Sequence, residues 1–514
     1  MPVAQRPFWQ SSALRRLPGG LEGNAHAEVV IIGAGVAGLT TGYLLAREGR
    51  SVMILDDGAV AGGETCRTTA HLSCALDDRY LELARMHGAD GARLAAASHV
   101  AAINEIERIA AHEGIRCDFR RVDGYLFNPP EAPNAVPLDE ELQAVWHAGL
   151  LDVERVPAPP VSILSAGAAL RFPRQAQVHP LKYMAGLAAA FVRAGGRIHA
   201  PTHVAEVRAG RPTQVVARNG AIVTCDRVVV ATNAPVHDRL MISAKQAAYR
   251  TYVVSAPVPR DAVPVALYWD TLDPYHYVRL APGRSEDRLI IGGEDHKTGQ
   301  ADDAELRYAR LENWARARFP EMGAIDARWS GQIVEPMDGL AFIGLDPRGE
   351  GDIYIATGDS GHGMTHGTIA GLLINDLVHG RSNPWASLYD PMRVPRNAAA
   401  ETVAENVNEL AQYADWVTDG AGPPERVPRN EGAVVRQGLL KVALYRDAQR
   451  KLHACSAICP HLGGIVRWNH GEKSFDCPVH GSRFDHRGKV VNGPANDDLT
   501  PVGDPGEPGS EPVK

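Results

Sequence analysis

Cys459-Pro-His461 and, fifteen residues on, Cys477-Pro-Val-His480 put two thiols and two imidazoles into two short segments. A C-x-H-x15-C-x2-H set can hold a zinc ion through all four side chains. It can also hold a [2Fe–2S] cluster, with two thiolates on one iron and two imidazoles on the other. Far upstream, Gly33-Ala-Gly35-Val-Ala-Gly38 follows the apolar run Val-Val-Ile-Ile and opens an apolar helical stretch. Asp56 closes the next apolar run, eighteen residues beyond Gly38. Between a strand and a helix, such glycines permit a tight turn and bring a pyrophosphate close to the helix N-terminus, while the acid takes ribose hydroxyls. These residues predict a dinucleotide site, for FAD or NAD. Asp359-x-x-His362-x3-His366 has the spacing of a mononuclear iron triad.

These groups need elements to carry them. Glu28–Gly33 and Ser51–Asp56 read as buried parallel strands flanking a helix that runs to about Gly49, a βαβ opening. Residues 77–115 have helical period, 116–180 mix short strands with Pro-rich loops, and a helix is expected near 181–195. DRVVVATNAP is a further buried strand. RTYVVSAPV, HYVRLAP and RLIIGGEDH alternate like antiparallel strands. From 352 the pattern is strand, glycine-rich loop, helix. Val403, Val407, Leu410 and Tyr413 recur at helical spacing and predict a docking helix. The Pro/Gly-rich run GAGPPERVPRNEG marks a boundary, and short strands dominate after it.

A chain of 514 residues is long enough for two or three domains, and 45% hydrophobic with 22% charged residues is a soluble globular composition. The net charge of −8 argues against nucleic acid as a partner. No apolar run is long enough for a membrane span. The opening residues MPVAQRPFWQSSALRRLPGG lack an apolar export segment, so a cytoplasmic location is expected. Seven scattered cysteines do not suit a disulfide scaffold.

CPHLGG, CPVHGSRFD and the GPA at 493–495 resemble the Rieske family loop for loop. The resemblance implies a [2Fe–2S] cluster on Cys459, His461, Cys477 and His480. Many Rieske proteins carry one further cysteine in each loop, and these pair as a disulfide; here the positions are Gly464 and Val479. Ser482 stands where family members bond a cluster sulfur, and Phe484 where high-potential members place a tyrosine. Loss of that hydrogen bond predicts a low-potential centre.

GGETCRTTAHLS (62–73), VVVATNAP (228–235) and IATGDSGHGMTHGTIAG (355–371) resemble the glycine/D-amino-acid oxidase family of flavoproteins. That resemblance implies FAD rather than NAD. It places FAD on Gly33, Gly35, Gly38 and Asp56, with Thr65, Arg67, Thr68, Val204, Ala231, Gly358, Gly361, Gly363 and Met364 as further contacts. It also accounts for 355–371 without a mononuclear iron. Arg279, Tyr252 and His71 are the candidate catalytic residues, Arg279 as a bidentate grip on a carboxylate. Tyr275, His276, Tyr277 and Trp329 are other pocket candidates. His71 or Cys66 is the place for a covalent flavin link, should there be one. Glutamine in Trp329-Ser-Gly-Gln332, where amine-oxidising relatives place arginine, speaks against an amino-acid substrate.

The expected fold is an α/β FAD-binding Rossmann-like domain with an antiparallel substrate-binding sheet, plus a small all-β Rieske domain. The expected division is an N-terminal extension (1–26), an FAD domain (27–385, substrate sheet roughly 116–180 and 247–335), a linker with the docking helix (386–429), the Rieske domain (430–502) and a disordered tail (503–514). The expected activity is oxidation of a small amine or N-substituted amino acid, with electrons leaving through the cluster to an external acceptor. An oxygen-dependent oxidase with a structural or tuning cluster, and an electron-transfer protein serving another enzyme, are the alternatives.

Overall fold

The computed structural model describes residues 5–11, 19–235, 242–348, 351–394, 399–418, 420–438 and 440–502. The tail expected over 503–514 lies outside them. The chain forms two compact units. One comprises Met1–Asn233, Thr251–Asp295 and Arg307–Ala398; the other comprises Ala234–Arg250, His296–Leu306 and Ala399–Lys514.

In the first unit the apolar runs Val29–Ile32 and Val52–Leu55 are buried at every residue and pair in parallel, as strands covered on both faces do. Ile353–Thr357, Arg227–Asn233 and Arg197–His199 extend this sheet in parallel, and Phe342–Leu345 adds an antiparallel edge. The helices Val36–Arg47 and Gly363–Val378 lie close together because glycines face the contact. A Cβ on Gly367 would come 2.5 Å from Val36, and one on Gly371 2.6 Å from Thr40.

The unit's second sheet has nine strands, among them Arg120–Phe127, Ala169–Gln177, Gln246–Pro259, Leu267–Asp270, Tyr277–Ala281, Glu286–Lys297 and Ala327–Pro336. It is mixed rather than purely antiparallel: Leu267–Asp270 runs parallel to Arg120–Phe127. Gly124 is required at that seam, since a Cβ there would stand 2.5 Å from the Trp269 ring. Two features escape the sequence reading. The helix Ala304–Arg318 has no clear apolar face by sequence. The lead-in contains the turn Phe8–Ser11, whose Trp9 is buried against Trp329 (ring centroids 5.7 Å) and donates to the Cys66 carbonyl at 2.7 Å.

The second unit holds a three-stranded antiparallel sheet (Glu431–Gln437, Leu440–Arg446, Leu452–Ser456) and a four-stranded one (Arg467–Asn469, Ser474–Asp476, Arg483–Asp485, Val490–Asn492). Side chains of this unit enclose a core containing Cys459, Ile465, Phe475, Cys477, Val479 and Phe484, and the three-stranded sheet adds a smaller cluster of Val427, Val435, Val442 and Leu444. The helix Ala399–Gln412 forms in the segment predicted to dock, and Tyr413 just past it packs against the core, but two of the predicted apolar residues face solvent; the Val403 side chain lies outside the described residues. Val407 and Leu410 are 61% and 70% exposed, whereas Glu405 and Glu409 are buried. No helix among the described residues is long and apolar enough to cross a membrane.

Candidate flavin and cluster sites

The first sheet positions the dinucleotide loop. Gly33 has φ +106°, and a Cβ there would come 2.4 Å from the Ala231 carbonyl, so these two predicted residues meet at the strand ends. A Cβ on Gly38 would come 2.0 Å from the Gly33 carbonyl. The following helix has Gly35 as its N-cap and no side-chain cap, which leaves its positive end for a pyrophosphate. Thr65 reaches the same turn and accepts from the Val36 amide at 3.2 Å. Asp56 accepts from the Ala34 amide at 2.6 Å and the Gly58 amide at 2.8 Å; burial raises its pKa. His203, next to Val204, stands 3.6 Å from Asp57, which puts Val204 at the same end of the sheet. A cradle that a Cβ would fill fits FAD.

Arg67 donates to the Ser330 carbonyl at 3.0 Å, and its own carbonyl accepts from Trp329 at 2.7 Å. Thr68 accepts from the Ala70 amide at 3.0 Å. Gly358, Ser360 and Gly361 take positive φ in the loop before the Gly363–Val378 helix, in which Met364 is buried. A Cβ on Gly361 would meet Asp77 at 2.3 Å and the Tyr275 hydroxyl at 3.5 Å. Gly361 is therefore brought to a polar group that sequence reasoning did not find.

The three residues predicted to be catalytic do not converge as expected. Arg279 is buried and donates through one nitrogen to the carbonyls of Thr69 (2.8 Å), Ala70 (2.8 Å) and Val178 (3.1 Å); burial lowers its pKa to about 9. It clamps the backbone of the 62–73 loop. His71 faces the Val278 carbonyl through Nε2 at 3.3 Å and Thr69 Oγ1 through Nδ1 at 3.0 Å. A carbonyl only accepts, so the proton lies on Nε2. Burial, with Arg279 nearby, lowers the His71 pKa to about 3, so the ring is neutral. Cys66 donates to the Gly63 carbonyl at 3.1 Å, and burial pushes its thiol up. Tyr252 packs against Tyr308 (ring centroids 5.0 Å), whereas its neighbour Thr251 bonds the Tyr277 hydroxyl at 2.8 Å. Adjacent strand residues point to opposite faces, so Tyr252 and the Tyr277 hydroxyl lie on different sides of the sheet.

The missed group is acidic. Asp77 accepts from Tyr275 at 2.7 Å and stands 3.1 Å from His362 Nε2. Against the effect of burial, each of Asp77 and His362 favours the other's charged form, lowering the acid and raising the imidazole. Burial raises Asp78 to about 6 and Asp295 and Asp359 to about 7, and it pushes Glu335 well above the usual carboxylate range. A cavity of about 40 Å³ adjoins Asp77 and Tyr275 and is walled by Leu126, Phe172 and Trp269. The iron-triad spacing does not close: His366 Nδ1 faces the Asp359 carbonyl at 2.8 Å and its Nε2 faces His99 at 3.3 Å, while His362 faces Asp77. Scattered single acids carry no spacing signal, which is why the sequence does not reveal this group.

The cluster loops are two copies of one turn. The Cys459 amide donates to Gly464 and its carbonyl accepts from Gly463; the Cys477 amide donates to Ser482 and its carbonyl accepts from Gly481. Gly463 and Gly481 have φ +77° and +75°. The two sulfurs face each other: each cysteine shifts its partner's thiol, Cys459 downward and Cys477 upward. Cys459 also receives bonds from Ser482 and the amides of His461 and Leu462, and Cys477 from those of Val479 and His480. The His461 and His480 rings lie at 87° with centroids 4.9 Å apart. A Cβ on Gly464 would come 2.6 Å from Val479, so the positions of the absent disulfide are apposed and filled by valine. Among the described residues no three acidic, cysteine or histidine side chains converge on one ion. Two facing sulfurs and two neighbouring imidazoles suit two irons instead.

Comparison with known proteins finds a family for each of the two regions. Residues 28–377 match the family described as FAD dependent oxidoreductase (DAO), and residues 420–502 match the Rieske [2Fe-2S] domain. The chain belongs to the DAO family of FAD-dependent oxidoreductases. It is similar along almost all its length to a putative Rieske 2Fe-2S iron-sulfur protein, YhfW, of Bacillus subtilis (strain 168): 30% identical, covering 96% of each chain. Gamma-glutamylputrescine oxidoreductase of Escherichia coli (strain K12) is 26% identical over 69% of this chain and 84% of its own. Among solved structures, L-proline dehydrogenase from P. horikoshii superposes with a TM-score of 0.60 at 17% identity, covering 72% of this chain and 98% of that one. Glycine oxidase from Geobacillus kaustophilus gives 0.56 at 19%, covering 72% and 100%. This DAO protein thus carries a Rieske domain after its FAD domain; the two imply FAD and a [2Fe–2S] cluster.

Proposed function

We propose that this protein oxidises a small amine, as the free amine or an N-substituted amino acid, and passes the electrons through its cluster to an external acceptor. The acidic group around Asp77 carries the reading for the amine. Asp77, Asp78, Asp295, Glu335 and Asp359 act on one another electrostatically within the FAD unit, and a site surrounded by carboxyls favours a cation. Arg279, the arginine expected to hold a carboxylate, is engaged with backbone carbonyls instead. The relative named for gamma-glutamylputrescine, itself an amine, supports the same class.

When bound, FAD supplies a hydride acceptor and the cluster a one-electron relay. The chain's residues supply the setting. The Gly35 helix N-terminus holds the pyrophosphate, Arg279 fixes the loop beside the cofactor, and the Asp77–His362–Tyr275 group orients the ammonium and keeps compensating charge near it. Asp295 and Asp359, with pKa near 7, can take the proton an ammonium must lose before oxidation. Screening di- and monoamines against N-methyl amino acids for anaerobic flavin bleaching tests the substrate class. Bleaching by at least one of these amine-bearing compounds is expected; flavin that stays oxidised with every one of them would refute the reading.

A further inference from the structure

The Ala399–Gln412 helix is turned inside out for its composition, with Val407 and Leu410 in solvent and Glu405 and Glu409 buried. Burying a carboxyl is costly unless it meets a partner. Glu405 pairs with Lys297. Among the described residues Glu409 is paired with no lysine or arginine; its carboxylate stands 3.5 Å from Nε2 of His480, with both side chains about a tenth exposed or less (11% and 7%). The Nδ1 of His480 is left for iron. Just past the helix, Tyr413 donates to the Leu462 carbonyl at 2.8 Å and Trp416 to the Gly463 carbonyl at 3.0 Å. Arg467 ties the same turn through Asp415 at 2.7 Å. One segment therefore holds both ligand loops, the His461 loop by two hydrogen bonds to its backbone and the His480 loop by a carboxylate on the ligand itself. The inter-loop disulfide common in Rieske proteins is replaced here by Gly464 and Val479, so no covalent tie joins the loops.

We propose that residues 405–416 form a non-covalent clasp in place of that disulfide, and that Glu409, as a positioning residue on His480, sets the cluster's reduction potential low. Reduction adds one negative charge to the cluster, and a carboxylate on a ligand ring in a buried setting opposes it. The same contact fixes the ring orientation. This inference rests on the presence of the cluster and is independent of the substrate assigned to the flavin.

The test is an EPR-monitored redox titration of the full-length holoprotein with chemical mediators, so that no substrate is involved. Glu409→Gln and Glu409→Ala should both raise the midpoint potential with the cluster still bound, and Glu405→Gln should leave it near native. A native potential in both Glu409 variants would overturn the tuning role. The clasp is read separately, as the half-life of the cluster's visible absorbance under chelator at raised temperature. Tyr413→Phe and Trp416→Phe, combined, should shorten it severalfold with little change in potential; a native half-life would overturn the clasp.

Discussion

The candidate cluster site draws its two Cys-His pairs from two copies of one turn within residues 459–480, each closed by its own backbone bonds. The candidate flavin site gathers Gly33, Thr65, Ala231 and Gly361 from strand ends and loops spread through the FAD domain, and the polar group beside Gly361 adds Asp77, Tyr275 and His362. The first is a local device whose geometry is nearly complete once two turns form. The second exists only when two sheets are assembled, so its integrity is a property of the whole unit. Losing one ligand should empty the cluster site alone, whereas damage to the FAD unit's packing should reach the flavin from a distance.

The largest effects should come from the ligands. Cys459→Ser or His480→Ala should abolish the cluster's EPR signal while flavin content stays native; coupled loss of flavin would break the contrast between the sites. Next is the buried pair Asp338–Arg393, at 2.7 Å with side chains 0% and 9% exposed. Arg393→Ala leaves Asp338 buried without its cation and should cost about 3–5 kcal/mol in denaturant unfolding of the FAD unit, with flavin release preceding cluster loss. Against burial, Arg393 holds the Asp338 pKa down. The folded value lies below the unfolded one, so this contribution is complete above about pH 4 and is lost as pH falls through the folded value. Thermal melts from pH 7 to pH 3 should show the native protein losing its advantage over Arg393→Ala.

Gly38→Ala puts a methyl group against the Gly33 carbonyl and should weaken FAD binding by roughly 1–3 kcal/mol, about fivefold to 150-fold, read as flavin released on dilution, with cluster absorbance unchanged. Arg279→Gln should lower flavin retention without selectively raising KM for carboxylate-bearing substrates; a selective rise would restore Arg279 as a substrate grip. The smallest effect belongs to Tyr252→Phe, which should change the anaerobic flavin reduction rate less than about twofold, an effect within ~0.5 kcal/mol.

The same contrast accounts for what the sequence discloses. Turns with one Cys, one His and a glycine at fixed offsets carry their geometry in local spacing, so the cluster ligands and the Gly33–Gly38 loop are legible. The strand runs Val29–Ile32 and Val52–Leu55 are legible because both faces are buried and every residue is apolar. The backbone contacts of Arg279 are not legible, because a buried arginine facing three carbonyls looks, in sequence, like one facing a substrate. The packing of Tyr252 against Tyr308 is not legible either, because its strand face depends on register. Asp77, Asp295 and Glu335 are not legible, and Asp359 is legible only as part of a false iron spacing, because these acids come together only through tertiary packing. The Ala399–Gln412 helix is legible by its apolar period, but the exposure of Val407 and Leu410 is not: burial of Glu405 and Glu409 is set by Lys297 and His480, both distant in sequence.

The most direct test of the central claim is anaerobic stopped-flow mixing of holoenzyme with an amine that bleaches its flavin, paired with freeze-quench EPR, in the native protein and in Cys459→Ser. The account predicts flavin bleaching followed by the reduced-cluster signal in the native protein, and bleaching without that signal in the variant. Flavin that stays reduced while the native cluster remains oxidised, even with excess amine, would contradict it.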